Sequence, residues 1–156
     1  MTNKSEYGLK NTGNEPPLKS ALLEGINHAH QKEIARLLKI IEGSGLIIHQ
    51  EPRLGLIMMT VKDSFDTPFH LGEVLVTTAE VEHDGQRGYG VLLGDEPEKA
   101  LLLASVEAIE LRGDRELIGC LKGLIGPLRE KAEAERLRLM KLAGSTQVSF
   151  DSMTQE

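Results

Sequence analysis

Residues 69–93 read FHLGEVLVTTAEVEHDGQRGYGVLL. Val74, Val76 and Thr78 alternate with Leu75, Thr77, Ala79 and Val81, which is the period-two pattern of a strand from Phe69 to Glu82. Asp84-Gly85 follows, and that pair suits a type I′ turn, where both central residues need positive φ. Arg87 to Leu93 then pairs back, with Tyr89, Val91 and Leu93 on one face. This hairpin decides the fold class, because it commits the chain to an antiparallel sheet. Working upstream, Leu46-Ile47-Ile48 and Gly55 to Val61 read as two more strands, separated by Pro52-Arg53. Asp63 to Pro68 is a loop by its turn residues. The sheet is therefore expected to have about four strands.

Helical patterns flank it. Leu18 to Glu42 carries two apolar patches, Leu22/Leu23/Ile26 and Ile34/Leu37/Leu38/Ile41, and Asn27-His28-Ala29-His30 can split it into two helices. Gly43-Ser44-Gly45 ends it. After the hairpin, Asp95 is placed to cap a helix with Pro97 in its first turn and Glu98 three residues on. That helix reaches about Leu111 and stops at Arg112-Gly113. Arg115 to Lys122 and Pro127 to Leu142 are two further helical stretches. The expected fold class is α+β, an antiparallel sheet of about four strands with N-terminal and C-terminal helices packed on it. Residues 1–17 are expected to be a disordered arm, 18–143 a single domain and 144–156 an extended tail.

Composition narrows the functional classes. At 156 residues, one domain suffices and needs no cross-link or metal to hold it. The single cysteine, Cys120, rules out an internal disulfide and a cysteine-built zinc site. No apolar run approaches the length of a membrane span, and the first 17 residues hold no apolar h-region, so a cytoplasmic location is the default. The net charge of −6 disfavours nucleic acid and anionic membrane as partners. Two Tyr, three Phe and no Trp leave few bases a platform to stack on. Acidity is concentrated in residues 63–116, which carry thirteen Asp and Glu against four Lys and Arg.

Chemistry-bearing residues are sparse. His28 and His30, two apart on a helix, face different ways and cannot share a metal. His49 and His83, at a strand end and a turn, are expected at the surface. His70 and Glu73 could form an acid–base pair, but residues three apart on a strand point to opposite faces, so the pair needs a bulge, which Gly72 could permit. Gly88-Tyr89-Gly90 and Gly94 miss the dinucleotide fingerprint by one residue, and the first two glycines fall within a strand. Asp95, Glu96 and Glu98 would repel a phosphate at the helix that follows. Cys120 is expected to be a small buried apolar residue. On the last helix Leu128, Ala132, Leu139, Leu142 and Ala143 form one stripe, with Leu137 opposite and Met140 at its flank. Together with strand faces that are apolar on both sides from Val74 to Val81, this predicts a subunit of a larger assembly.

Five blocks carry a resemblance. They are Pro52 to Met59 (PRLGLIMM), Pro68 to Thr77 (PFHLGEVLVT), Val81 to Gly90 (VEHDGQRGYG), Leu93 to Ala100 (LGDEPEKA) and Val148 to Met153 (VSFDSM). In this order and spacing they resemble PhnG, the G subunit of the bacterial carbon–phosphorus lyase system. The resemblance implies a cytoplasmic accessory subunit, not itself a catalyst, working with sister subunits of the H, I, J and L types. It implies that the assembly transfers the ribose triphosphate of ATP to an alkylphosphonate and releases adenine. ATP is then a substrate of the complex, and no cofactor or metal is expected on this chain. Phe69, Gly72, Glu73, Gly88, Tyr89, Gly90, Gly94, Asp95, Leu137 and Phe150 become residues of fold and partner contact. In isolation the chain is expected to dimerise or self-associate. The competing expectation is a stand-alone α+β enzyme or ligand-binding module using His70 and Glu73.

Overall fold

The computed structural model describes residues 16–145. Its elements run α1 (Leu18–Ile26), α2 (Gln31–Glu42), β1 (Ile47–Lys62), β2 (Pro68–His83), β3 (Gln86–Leu93), α3 (Pro97–Arg112) and α4 (Arg115–Ser145). The fold is α+β, and the three strands form one antiparallel sheet in the order β1-β2-β3. The break after Ile26 is real: Asn27 to Ala29 separates two helices, and Glu33 accepts the His30 N–H at the start of the second (2.6 Å).

Among the described residues the sheet has three strands rather than about four, because the two short upstream segments are one long strand. Register slips between Ile48 and Gln50, and again between Gln50 and Arg53. Pro52 falls in the second slip. A bulge takes residues out of the ladder, so the missing N–H of Pro52 costs no hydrogen bond and the strand continues.

Helix α3 is the middle layer. Ala100, Leu102, Leu103, Ala104, Ser105, Val106, Ala108 and Ile109 are all buried, as befits a helix covered on two sides. Its alanines lie on the sheet, in a cluster with Ala79 and Val81. Leu102, Leu103, Val106 and Ile109 meet Leu22 and Ile26 of α1, Leu37 of α2, Leu121 and Ile125 of α4, and Leu92 of β3. Each large side chain so buried contributes about 1.5–3 kcal/mol. Gly88 and Gly90 let the helix come this close. A Cβ on Gly90 would stand 1.8 Å from the Ala100 carbonyl oxygen, and one on Gly88 2.0 Å from that of Ala104.

The entry to α3 is pinned from the sheet. The buried Thr77 hydroxyl donates to the Gly94 carbonyl (2.6 Å) and accepts the Glu96 N–H (3.0 Å). The N-cap is thus Glu96 rather than Asp95, with Pro97 following, and no side chain caps this end. Gly113 closes the helix with φ 76°, a conformation that favours glycine.

The two C-terminal helical stretches are one helix, α4, which runs through Pro127 to Ser145. Leu121, Ile125, Leu128 and Ala132 make a continuous buried stripe across the proline. That burial outweighs the roughly 3 kcal/mol an interior proline costs a helix. Cys120 lies off the stripe and is exposed, not buried. The expected arm at 1–17 falls almost wholly outside the described residues. Of the expected 144–156 tail, Gly144 and Ser145 are helical, and the rest, Phe150 included, lies outside them.

Candidate functional site

Among the described residues, one side of the sheet carries α3 and the other carries no helix. On the open side lie the even-numbered residues of the second half of β2, of which Val76 is 2 % exposed and the others half-buried, and their neighbours across the ladder: Thr78 pairs with Val91 and Arg53, Glu80 with Tyr89, and Val74 with Ile57. Tyr89, Val91, Leu93 and Ile57 are exposed there. In a sheet with one solvated face, that face is ordinarily polar; here the reverse holds over half its length.

Beyond Leu75 the β3 strand ends, and β1 and β2 continue alone as a two-stranded ribbon. Leu56, Met58 and Leu75 are exposed on one face of it, and Ile57, Met59 and Phe69 on the other. Two strands by themselves are marginal in water. The outer edge of β1 from Leu54 to Val61 carries no charge and no proline, the usual protections against pairing with another chain. The opposite edge is handled differently. Glu107 accepts the Tyr89 N–H (2.6 Å), Lys19 donates to the Tyr89 carbonyl (2.8 Å), and Lys19 and Glu107 pair with each other (2.8 Å).

The ribbon also holds His70 and Glu73. The register steps from Met59↔Gly72 to Thr60↔His70, leaving Leu71 as the extra residue of a bulge. Gly72 next to it takes φ 146°, a region open to glycine. Since Met58 and Thr60 share a face of β1, their partners Glu73 and His70 share it too. Both side chains are exposed. His70 Nδ1 meets the Thr60 hydroxyl at 3.0 Å, and among the described residues no hydrogen bond joins it to Glu73. The bulge thus brings the two to one face without enclosing them.

His83 stands where sequence reasoning did not put it. It is buried rather than at the surface, because the odd-numbered face of β2 is the one beneath α3. Its Nε2 is 3.5 Å from Asp114 Oδ2, and among the described residues neither ring nitrogen has a full hydrogen bond. Asp114 accepts the Glu116 and Leu117 N–H groups (both 3.1 Å) and so caps α4. The Leu117 N–H foremost, with the His83 ring and the Glu116 N–H, holds the Asp114 carboxyl below the usual range. The period-two count from Ala79 and Val81 through His83 was the available signal for its burial.

Elsewhere an open cleft of about 700 Å³ lies between the end of α1 and α4, lined by Glu24, His28, Arg129 and Arg136 among others. Its cations are already neutralised, Arg129 by Glu24 (2.6 Å) and Arg136 by Glu133 (2.9 Å). Past Ala132, α4 exposes Leu137, Leu139, Met140 and Leu142. Among the described residues no group of three or more metal-ligating side chains stands together, and no helix is long and apolar enough to cross a membrane.

The other expected contact residues divide by role. Gly88 and Gly90 lie under α3, Gly94 turns the chain with φ 87°, and Asp95 is exposed beside it. Phe69, Gly72 and Glu73 are on the ribbon and Tyr89 is on the open face.

Fold and surface together define a class: a small α+β chain with its sheet covered on one side only and an apolar arm reaching past its body. The chain belongs to the phosphonate metabolism protein PhnG family, whose model matches residues 19–155. No curated protein matches it.

Proposed function

We propose that this chain is an accessory, non-catalytic subunit of a phosphonate-processing complex. With sister subunits of the I, H, J and L types, it supports transfer of the ribose triphosphate of ATP to an alkylphosphonate, with release of adenine. The chain binds no cofactor of its own, ATP being a substrate of the assembly, and it works in the cytoplasm. The observation that carries this reading is the ribbon of residues 56–75. A two-stranded arm that is apolar on both faces gains stability only when other surfaces cover it, and its family works in phosphonate metabolism.

The shared face of His70 and Glu73 favours the competing reading, a small enzyme. Against it, both groups are solvated and share no hydrogen bond. General acid–base work calls for a positioned pair with matched proton affinities.

The test is adenine release from ATP and methylphosphonate by co-expressed sister subunits, with and without this chain. The expected result is release that requires the chain, and none from the chain alone. His70→Ala and Glu73→Gln should leave it unchanged. Release by the purified chain alone, or undiminished release in its absence, refutes the proposal.

A further inference from the structure

We propose that His83 and Asp114 form a proton-operated latch: a protonated His83 ring ties the tip of the β2–β3 hairpin to the start of α4, and a neutral ring loosens that hold. The inference stands apart from the subunit reading, since it concerns how the body of the chain is held together and not what covers its surfaces.

Three observations carry it. The first is burial without a partner. The His83 side chain is 6 % exposed, and among the described residues neither ring nitrogen has a hydrogen-bond partner. A buried polar group left in that condition costs stability, so the neutral ring is poorly served by its surroundings. The second is the group the ring faces. Nε2 stands 3.5 Å from Asp114 Oδ2, at the outer limit of hydrogen-bond contact, where a small movement makes or breaks the bond. Asp114 accepts the Leu117 and Glu116 N–H groups (both 3.1 Å), and with the His83 ring these hold its carboxyl below the usual range. A carboxylate kept ionised beside an imidazole favours the imidazolium, and the charge-assisted bond between them is stronger than a neutral one. The third is position. Gly113 and Asp114 are the whole connection between α3 and α4, and the Ile118 N–H donates to the Asp114 carbonyl (2.9 Å). A pull on the Asp114 side chain therefore acts on the first turn of α4.

The surrounding charges leave the pair to itself. Arg112, at the end of α3, is 3.2 Å from Asp84 in the hairpin turn. Glu82 points to the opposite face of β2, where it meets His49 (2.8 Å) and Arg87 (3.6 Å). Gln86, the partner of His83 on β3, carries no charge, and Arg115 and Glu116 at the start of α4 are exposed. Burial and the positive end of α4 oppose a charge on the ring. Asp114, which caps that end and faces the ring, offsets both.

The test is a double-mutant cycle on the full chain, with wild type, His83→Gln, Asp114→Asn and the double variant unfolded in urea. It is run at about pH 5.5 and about pH 8.5, on either side of the ordinary imidazole range. The coupling between the two sites should be at least ~10-fold in the unfolding equilibrium constant at the lower pH and fall to within about 2-fold at the higher. The sign follows from linkage: what an imidazolium contributes is present in mild acid and is lost as pH rises. A coupling that is absent at the lower pH, equal at both, or larger at the higher overturns the proposal. Ring NMR of the wild-type chain needs no variant and decides the matter if one fails to fold. The His83 ring should take up a proton in the folded chain across that range, and the Glu116 and Leu117 amide shifts should follow with the same midpoint. A ring that stays neutral until the chain unfolds, or amides that do not follow it, overturns the proposal as well.

Discussion

Gly90 and Gly43 are the same residue in opposite situations. A Cβ on Gly90 would meet the Ala100 carbonyl oxygen at 1.8 Å, whereas one on Gly43 would meet nothing within 4 Å. Gly90→Ala must push α3 off the sheet and should cost at least ~1–3 kcal/mol. Gly43→Ala should be close to neutral, and thermal midpoints of the two variants check the contrast. Asp114 offers a pH test. Its folded-state pKa is lowered, so its contribution is present above the unfolded carboxyl value and is lost as pH falls through the folded value. Asp114→Asn should therefore lose stability at neutral pH and show a shallower decline on acidification than wild type, read from urea midpoints across that range. The close approach at Gly90 was invisible in the sequence, which showed glycines in a strand but not the helix above them. The burial of His83 was missed for a related reason: a residue beside a turn looks solvated until α3 is laid over it.

At the scale of elements, local signals and tertiary packing divided the outcome. The hairpin from β2 to β3 was legible because alternation and an Asp-Gly turn agree on one structure, and the turn residues Asp84 and Gly85 do take φ 46° and 83°. Pro52 and Pro127 misled in the same way. Each is a local breaker, and each sits in an element that continues, through a bulge in β1 and along a buried stripe in α4. That stripe gives a prediction: Leu128→Ala, removing a side chain 2 % exposed, should cost about 2–5 kcal/mol in chemical unfolding. The ribbon gives another. Gly72 has open space for a Cβ but a φ that a branched side chain resists. Gly72→Val should raise amide hydrogen exchange from Leu54 to Val61 while the global midpoint stays near wild type, because β3 and α3 do not depend on the arm.

For the molecule as a whole, stability and function pull on different surfaces. The body is closed: α3 is wrapped by the sheet on one side and by α1, α2 and α4 on the other. Among the described residues no helix covers the arm, the open sheet face or the far end of α4. Adding more of this chain to limiting sister subunits should raise adenine release and then saturate, whereas a free-standing enzyme would give a rate that keeps rising with its own amount. The sequence by itself determined the class, α+β around an antiparallel hairpin, and through its ordered blocks it pointed to the PhnG family. It could do so because strand alternation, turn chemistry and short motifs are properties of neighbouring residues. Only the tertiary structure decided that the sheet of the described residues has three strands, that His70 and Glu73 share a face, and that no described helix covers one side of the sheet. Those depend on which distant segments lie against one another, and burial between them sets a balance that no local pattern records.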